Sequence, residues 1–314
     1  MIKRIQNKIA ESRHTLPIAV VYGIAIWLLA GLISEQWWIQ FGCFILSIVL
    51  MTELNNQNVL IRIYSRTVSS AYIFLTCAAT FLLPSLSGAV IQLCFIAAFY
   101  LLCQTYQDKE AVGKIFHAFA CLGIAGLIDI QFIYYLAIIW LLMGITIYSL
   151  SIRTFLASLL GFITPFWFCF AWHLYQGGDD LLEWMGQISA VADIHFPVNY
   201  AVLSLPCISF FAFLIILYII GAVHFFHTSY NDKIRVRQIY YSLILLSAFS
   251  CMLTAITPEL YDITIRLMIV TVSPIIAHFI SLTYTKLTNV MFLIILGITI
   301  ILTGLNLWMP SSLF

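Results

Sequence analysis

The sequence predicts an all-α protein, a polytopic bundle of transmembrane helices, and two observations carry this prediction. Hydrophobic residues make up 63% of the 314 residues, and the mean hydropathy is +1.04. Apolar runs of about 18 or more residues recur along the chain, and each is long enough to cross the hydrocarbon layer of a membrane. A water-soluble fold is excluded because one core cannot hide this much apolar surface.

The hydropathy pattern places about eleven spans within one transmembrane domain, residues 1–314. A basic segment precedes the first span, and residues 34–37 do not resemble a small-residue cleavage site, so we expect that span to be retained. The predicted spans are residues 17–34, 39–54, 67–84, 88–105, 113–128, 131–150, 154–174, 200–225, 239–257, 263–284 and 288–308.

The basic residues indicate the orientation of the chain. If the amino terminus is cytoplasmic and the spans alternate, 13 of the 14 lysines and arginines fall on the cytoplasmic side. This bias is typical of inner-membrane proteins. We therefore expect a multi-pass protein of the bacterial inner (cytoplasmic) membrane. The net charge of +1 and the absence of a basic patch interleaved with aromatics give no indication of nucleic-acid binding.

The longest predicted outer loop, residues 175–199, is acidic. Apolar residues at helical spacing predict an amphipathic surface helix over residues 181–195. Asp180 is placed as its N-cap, with Glu183 completing a capping box, and this structural role explains both acids. Asp193 and His195 follow at the far end of the helix. They are either an ordinary solvated loop end or part of a site.

Arg266 is the one basic residue that does not fall on the predicted cytoplasmic side, since it lies inside the tenth predicted span near its outer end. Asp262 stands at the i,i+4 position, so a local ion pair is one interpretation. The other is that Arg266 lines an outward cavity and binds a phosphate or carboxylate through two hydrogen bonds. Both remain open, because a charge within a span is a functional candidate by default.

Four residues at predicted outer ends suggest a chemistry. Glu35, Asp129, Asp193 and Arg266 could meet at the outer mouth of the bundle. A carboxylate beside an arginine suits glycosyl transfer from a lipid-phosphate sugar, in which one group accepts a proton and the other stabilises the departing phosphate. The eight cysteines and the scattered histidines show no metal-binding spacing, so we expect no metal and no cofactor.

Two stretches resemble a known family. The residues from Lys114 to Gly178, "KIFHAFACLGIAGLIDIQFIYYLAIIWLLMGITIYSLSIRTFLASLLGFITPFWFCFAWHLYQGG", resemble the middle of multispan GT-C glycosyltransferases. "IRLMIVTVSPIIAHFISL", from Ile265 to Leu282, resembles the late helix of that family that carries an arginine and a proline. The resemblance implies that Arg266 contacts a polyprenyl phosphate. The whole chain, including "ELNNQNVLIRIYSRTVSS", also resembles a group of polytopic Bacteroidota membrane proteins that brings no activity with it.

Two functional hypotheses follow. In the first, a GT-C-like enzyme transfers a sugar from a polyprenyl-phosphate carrier to an envelope glycan or lipid. Glu35 or Asp193 is then the base, Arg266 the phosphate ligand, and the further substrate-binding candidates are Asp129, His195 and Asp262. In the second, the chain is a non-enzymatic member of an envelope assembly, secretion or lipid-handling complex, with membrane lipids and envelope proteins as partners. The first outer loop favours the second hypothesis, because it is short and offers Glu35 where the family has a catalytic aspartate.

The orientation predicts a labelling pattern. A cysteine introduced at Ser189 should react with a membrane-impermeant reagent added from outside, because the 175–199 loop is predicted to face outward. A cysteine introduced at Asn231 should not react, since it lies in a basic, cytoplasmic segment. The measurement is mass-tag labelling of intact cells, with labelling after lysis as the control. The reverse pattern would overturn the orientation.

Overall fold

The computed structural model describes residues 4–176, 200 and 203–308, which are mainly helical, with no strand among them. The described part contains twelve α-helices. They are α1 (Ile5–Glu11), α2 (Thr15–Ala30), α3 (Trp38–Asn58), α4 (Thr67–Ala78), α5 (Leu86–Cys103), α6 (Val112–Ile128), α7 (Tyr134–Ile145), α8 (Ile152–Tyr175), α9 (Leu205–Thr228), α10 (Ile234–Ile256), α11 (Tyr261–Leu282) and α12 (Lys286–Trp308).

The helices confirm the multi-pass membrane character predicted from hydropathy. Among the described residues, seven helices are long and apolar enough to cross a membrane, and α1 with α2, bent by 90°, provides an eighth candidate. Three shorter apolar helices occupy Thr67–Ala78, Val112–Ile128 and Ile130–Ile145. Each predicted span therefore contains a helix, while the number of helices that cross the bilayer stays a prediction. The predicted surface helix at 181–195, with Asp180 and Glu183, lies outside the described residues.

The span predicted at 67–84 is shorter as a helix than the hydropathy indicates. The α-helix ends at Ala78, and a 3₁₀ turn over Thr80–Leu82 follows. Pro84 comes two residues later; it has no backbone N–H and disfavours helical geometry at the residue before it. Apolar composition therefore continues through an unwound segment, residues 79–85, before α5 begins.

The described residues form two compact units. Unit 1 contains the residues up to Ala89 and those from Tyr200 onwards; unit 2 begins at Val90. In unit 1, α11 packs against α4, α9 and α10, and all its residues from 263 to 282 are buried. Hydroxyls join it to α10, with Thr254 Oγ1 2.7 Å from Thr264 Oγ1 and Ser247 Oγ 2.8 Å from Thr271 Oγ1. Such bonds hold helices together where no hydrophobic driving force acts between them.

Helix α1 covers the carboxyl end of α11. Gln6 and Asn7 of α1 are buried. Their side-chain amides donate to backbone carbonyls at the end of α11, where a helix has no further N–H groups of its own to pair with them. The Gln6 side chain donates to the carbonyl of Ile280 at 2.6 Å, and that of Asn7 donates to the carbonyl of Thr283 at 2.9 Å. The buried face of this helix is therefore polar, while Ile5 is 54% exposed. This arrangement suits a helix that lies at a membrane interface.

Unit 2 is built on the close pairing of α6 and α8. A Cβ atom added at Gly161 would clash with the backbone carbonyl of Phe116, and one added at Gly123 would clash with that of Phe162. The two glycines thus let the helix backbones approach each other, as small residues do in membrane helix pairs.

We expect Gly161→Ala to destabilise the protein by about 1–3 kcal/mol, because the added methyl group forces the α6 and α8 backbones apart. The measurement is thermal unfolding of the purified protein in detergent. Gly113→Ala is the matched control, since a Cβ atom there meets nothing within 4 Å. Equal stability of the two variants would contradict the close packing.

Candidate functional site

Arg266 forms an ion pair with Asp262 at the amino end of α11. Its Nε atom lies 3.2 Å from Asp262 Oδ2, and its Nη2 atom lies 3.2 Å from Oδ1. The Arg266 side chain is 3% exposed and that of Asp262 is 31% exposed. The i,i+4 ion pair that the sequence allowed is therefore present, and the Asp262 carboxylate is its more exposed partner.

The same guanidinium also supports the unwound segment between α4 and α5. Arg266 Nη2 donates to the carbonyl of Leu82. Two other side chains do the same for neighbouring carbonyls: Asn306 Nδ2 donates to that of Ala78 at 2.7 Å, and Gln40 Nε2 to that of Pro84 at 3.1 Å. Non-helical backbone at membrane depth is tolerated only where protein groups satisfy it in this way.

Little space is left beside the ion pair. A Cβ atom at Gly88 would clash with Nε of Arg266 and with the carboxylate of Asp262, and Ser85 Oγ lies 3.4 Å from Asp262 Oδ2. The Nε–Nη2 edge is the one with which an arginine grips an oxyanion through two bonds. Since Asp262 and Leu82 occupy that edge, a phosphate can take it only if the ion pair opens.

The other predicted site residues are placed separately. Glu35 is exposed in the turn that joins α2 to α3. This turn lies at the Arg266 end of unit 1, because Gln40 in the first turn of α3 reaches Pro84. Asp129 belongs to unit 2, where its Oδ1 accepts the backbone N–H of Gln131 at 3.0 Å and caps the 3₁₀ turn Ile130–Ile133. Asp193 and His195 lie outside the described residues.

A half-open apolar groove of about 380 Å³ lies at the opposite end of unit 1, beside α1. Among the described residues that line it, Lys8 is the only charged one. Along α4 the groove runs from Thr67 to Leu75, a depth of about 12 Å at the rise of an α-helix. The lining residues are Lys8, Ile9, Ser12, Thr15, Ile18, Thr67, Ser70, Ala71, Phe74, Leu75, Leu217, Ile276, Ile280, Phe292, Ile295, Leu296 and Thr299.

No pattern in the sequence indicates this groove. Its walls come from six helices, α1, α2, α4, α9, α11 and α12, drawn from both ends and the middle of the chain, and most of their lining residues have the composition of an ordinary apolar span. The nearest signal was the cluster of basic residues around α1, which the positive-inside rule already explained. The lining contains the hydroxyl side chains of Ser12, Thr15, Thr67, Ser70 and Thr299, and apart from Lys8 its other residues are aliphatic or aromatic.

We expect Arg266→Met to destabilise the protein by about 1–3 kcal/mol, because the Leu82 carbonyl loses a donor and Asp262 loses its counter-charge. Adding Asp262→Asn should recover part of that loss, since the unpaired carboxylate is removed. The measurement is thermal unfolding in detergent of both single variants and the double variant. Strictly additive losses would show that the two side chains do not interact in the folded protein.

Comparison with protein-family models, with curated proteins and with solved structures found no match to this chain. No group of three or more His, Cys, Asp or Glu side chains in the described part of the chain is arranged to hold a metal ion. Two parts of unit 1 therefore stand as candidate sites, its Arg266 end and the groove at its α1 end.

Proposed function

We propose that this chain is a multi-pass protein of the bacterial inner membrane that binds an anionic lipid in the groove beside α1. The observation that carries the proposal is the combination of an apolar groove of about 380 Å³ with one lysine in its lining. With the amino terminus in the cytoplasm and eleven spans, this groove faces the cytoplasmic leaflet. The protein then belongs to the lipid-handling machinery of the envelope, as a binding subunit.

The lining selects a hydrocarbon chain over other ligands. A bound peptide would leave backbone N–H and C=O groups without partners along the aliphatic wall, and such groups are expensive to bury. An acyl or prenyl chain has no such groups, so it can fill the groove without leaving a polar group unpaired. In this proposal the groove lies against the bilayer, whose lipids supply such chains.

The charge at the α1 end suits an anionic headgroup. Lys8 is exposed and lines the groove, and Arg4 and Arg13 flank the same helix. Basic residues near a cytoplasmic membrane surface attract anionic lipids by about 1 kcal/mol each. The hydroxyl of Ser12, whose oxygen accepts the backbone N–H of His14, can donate to a phosphate oxygen. The chemical class proposed is therefore a phosphate-bearing lipid with one chain in the groove, which includes the polyprenyl phosphates.

A second candidate function uses the other end of unit 1. The observation that favours it is a buried arginine beside a carboxylate that is 31% exposed. In this proposal the protein is a GT-C-like transferase that takes a polyprenyl-phosphate-linked sugar at the outer face and modifies an envelope glycan or lipid. Arg266 holds the phosphate once its pair with Asp262 opens, and Glu35 or Asp193 accepts the proton of the acceptor. The two candidates use different residues.

We expect Ala71→Trp to remove co-purified lipid from the protein, because Ala71 lines the groove and an indole there fills it. The measurement is native mass spectrometry of the protein released from mild detergent. Val21→Trp is the matched control, since Val21 is 68% exposed on α2 and is not part of the groove.

The same assay separates the two candidate functions. Groove binding predicts that Lys8→Gln lowers the share of anionic lipid and that Arg266→Lys leaves it unchanged. Binding at the outer end predicts the reverse, because an ammonium cannot reproduce the two-bond contact of a guanidinium. Full lipid retention by a folded Ala71→Trp protein would contradict the groove proposal.

A further inference from the structure

The end of the groove that lies away from α1 is closed by contacts between helices. On α2 and α12 the last lining residues toward that end are Ile18 and Thr299. One helical turn further along the two helices lie Tyr22 and Thr303, and the Tyr22 hydroxyl is 2.7 Å from Thr303 Oγ1. This bond joins α2 to α12 across the line along which the groove would otherwise continue.

The bond between Tyr22 and Thr303 has a definite direction. Thr303 Oγ1 donates its one hydrogen to the backbone carbonyl of Thr299, at 2.8 Å, so its oxygen is left to accept. The Tyr22 O–H is therefore the donor. The Tyr22 ring is also stacked on that of Phe74, with 4.7 Å between the ring centroids, and Phe74 lines the groove. A hydrogen bond and a ring contact thus hold the Tyr22 ring at the end of the groove.

The helix backbones also come together beside this ring. A Cβ atom added at Gly23 would lie 3.1 Å from Cγ2 of Ile73, so α2 and α4 are closely packed there. Three residues beyond Thr303, Asn306 Nδ2 donates to the carbonyl of Ala78 at 2.7 Å and joins α12 to the end of α4. Without the Tyr22 ring, the groove could therefore lengthen by about 4.5 Å, three residues at the rise of an α-helix, before it meets the Asn306 contact.

The position of Tyr22 sets how much of a hydrocarbon chain the groove can hold. Thr15 lines the groove at the start of α2, and the seven residues from there to Tyr22 rise by about 10 Å, against about 12 Å along α4. An extended chain of tetrahedral carbons advances about 1.2 Å per bond, since the three backbone bonds of an extended residue span about 3.3–3.6 Å. The groove therefore holds about eight to ten carbon–carbon bonds. This is less than the depth of one leaflet, whose hydrocarbon layer is about 15 Å thick.

We infer that the Tyr22 ring is the end stop of the groove and determines the length of hydrocarbon chain that the protein prefers. The inference rests on the proposed function, because it takes a lipid chain as the occupant. It narrows the ligand to an anionic lipid with about ten chain carbons in the groove. Ile18 lines the groove and is exposed, so the carbons of a longer chain leave sideways past α2 and gain no further contact with the wall.

The test is a competition for the groove among single-chain anionic lipids. The full chain in mild detergent is incubated with an equal mixture of lysophosphatidylglycerols whose saturated chains have from about 8 to about 18 carbons, a range that includes the length of the groove. Native mass spectrometry then identifies the retained lipids. Tyr22→Ala should raise the mean length of the retained chains by about four carbons, which is the number that about 4.5 Å admits.

Two further variants accompany Tyr22→Ala. Thr299→Phe should shift the retained chains to shorter lengths, because an added ring occupies the last part of the groove before the end stop. Val21→Ala is the matched control and should leave the chain lengths unchanged, since Val21 is exposed on α2 beside Tyr22 and does not line the groove.

The outcome for the end stop is distinguishable from the outcome for the groove. If Ala71→Trp removes the lipids but Tyr22→Ala retains the same chain lengths as the wild type, the end stop is wrong and the groove proposal stands. If Tyr22→Ala does not fold, the absence of a shift in Thr299→Phe contradicts the end stop in the same way. Retention of the lipids by folded Ala71→Trp would overturn the groove proposal and the end stop with it.

Discussion

The fold of unit 1 depends on a helix, α11, that is buried from residue 263 to residue 282 and yet carries a polar side chain, Arg266 or His278, near each end. Water cannot satisfy polar groups in such a helix, so other parts of the protein must. At the amino end Arg266 is paired with Asp262 and also donates to Leu82. That second bond lets the chain between α4 and α5 leave the helical conformation at a depth where free carbonyls are costly. The ion pair and the unwound segment therefore stabilise each other.

This coupling bears on the chemistry assigned to Arg266. An arginine whose role is to bind a ligand would have its Nε–Nη2 edge free in the absence of that ligand. In this protein the carboxylate of Asp262 and the carbonyl of Leu82 occupy that edge. A phosphate at Arg266 must compete with both, and the loss of the Leu82 contact would leave that carbonyl with only the backbone N–H of Ser85. The groove at the other end needs no such rearrangement, because its wall is apolar and Lys8 is exposed. The geometry therefore favours lipid binding at the α1 end over catalysis at the Arg266 end.

Hydropathy predicted the positions of the helices well, because crossing a bilayer requires long apolar runs whichever way their side chains face. It could not predict which runs are central. Both α2 and α11 are apolar in sequence, yet α2 exposes Val21 and Leu29 while α11 buries every residue from 263 to 282. The Arg266–Asp262 pair was predictable because i,i+4 neighbours meet on one helix. The contact of His278 with Asp232 joins residues 46 positions apart, and no local pattern specifies it. An acid within the basic segment "NDKIRVR" was the available hint.

The two ends of α11 also show why charge alone is a poor guide to function inside a membrane protein. Arg266 drew attention in the sequence because a charged residue within a span needs compensation, and the structure supplies it from Asp262 and Leu82. His278 is easily taken for a neutral core residue, yet its Nδ1 atom and that of His224 are buried with no partner among the described residues. An arginine with satisfied bonds can serve structure alone. A buried imidazole such as that of His278 contacts one carboxylate, Asp232, through one ring nitrogen and keeps its other nitrogen without a partner among the described residues.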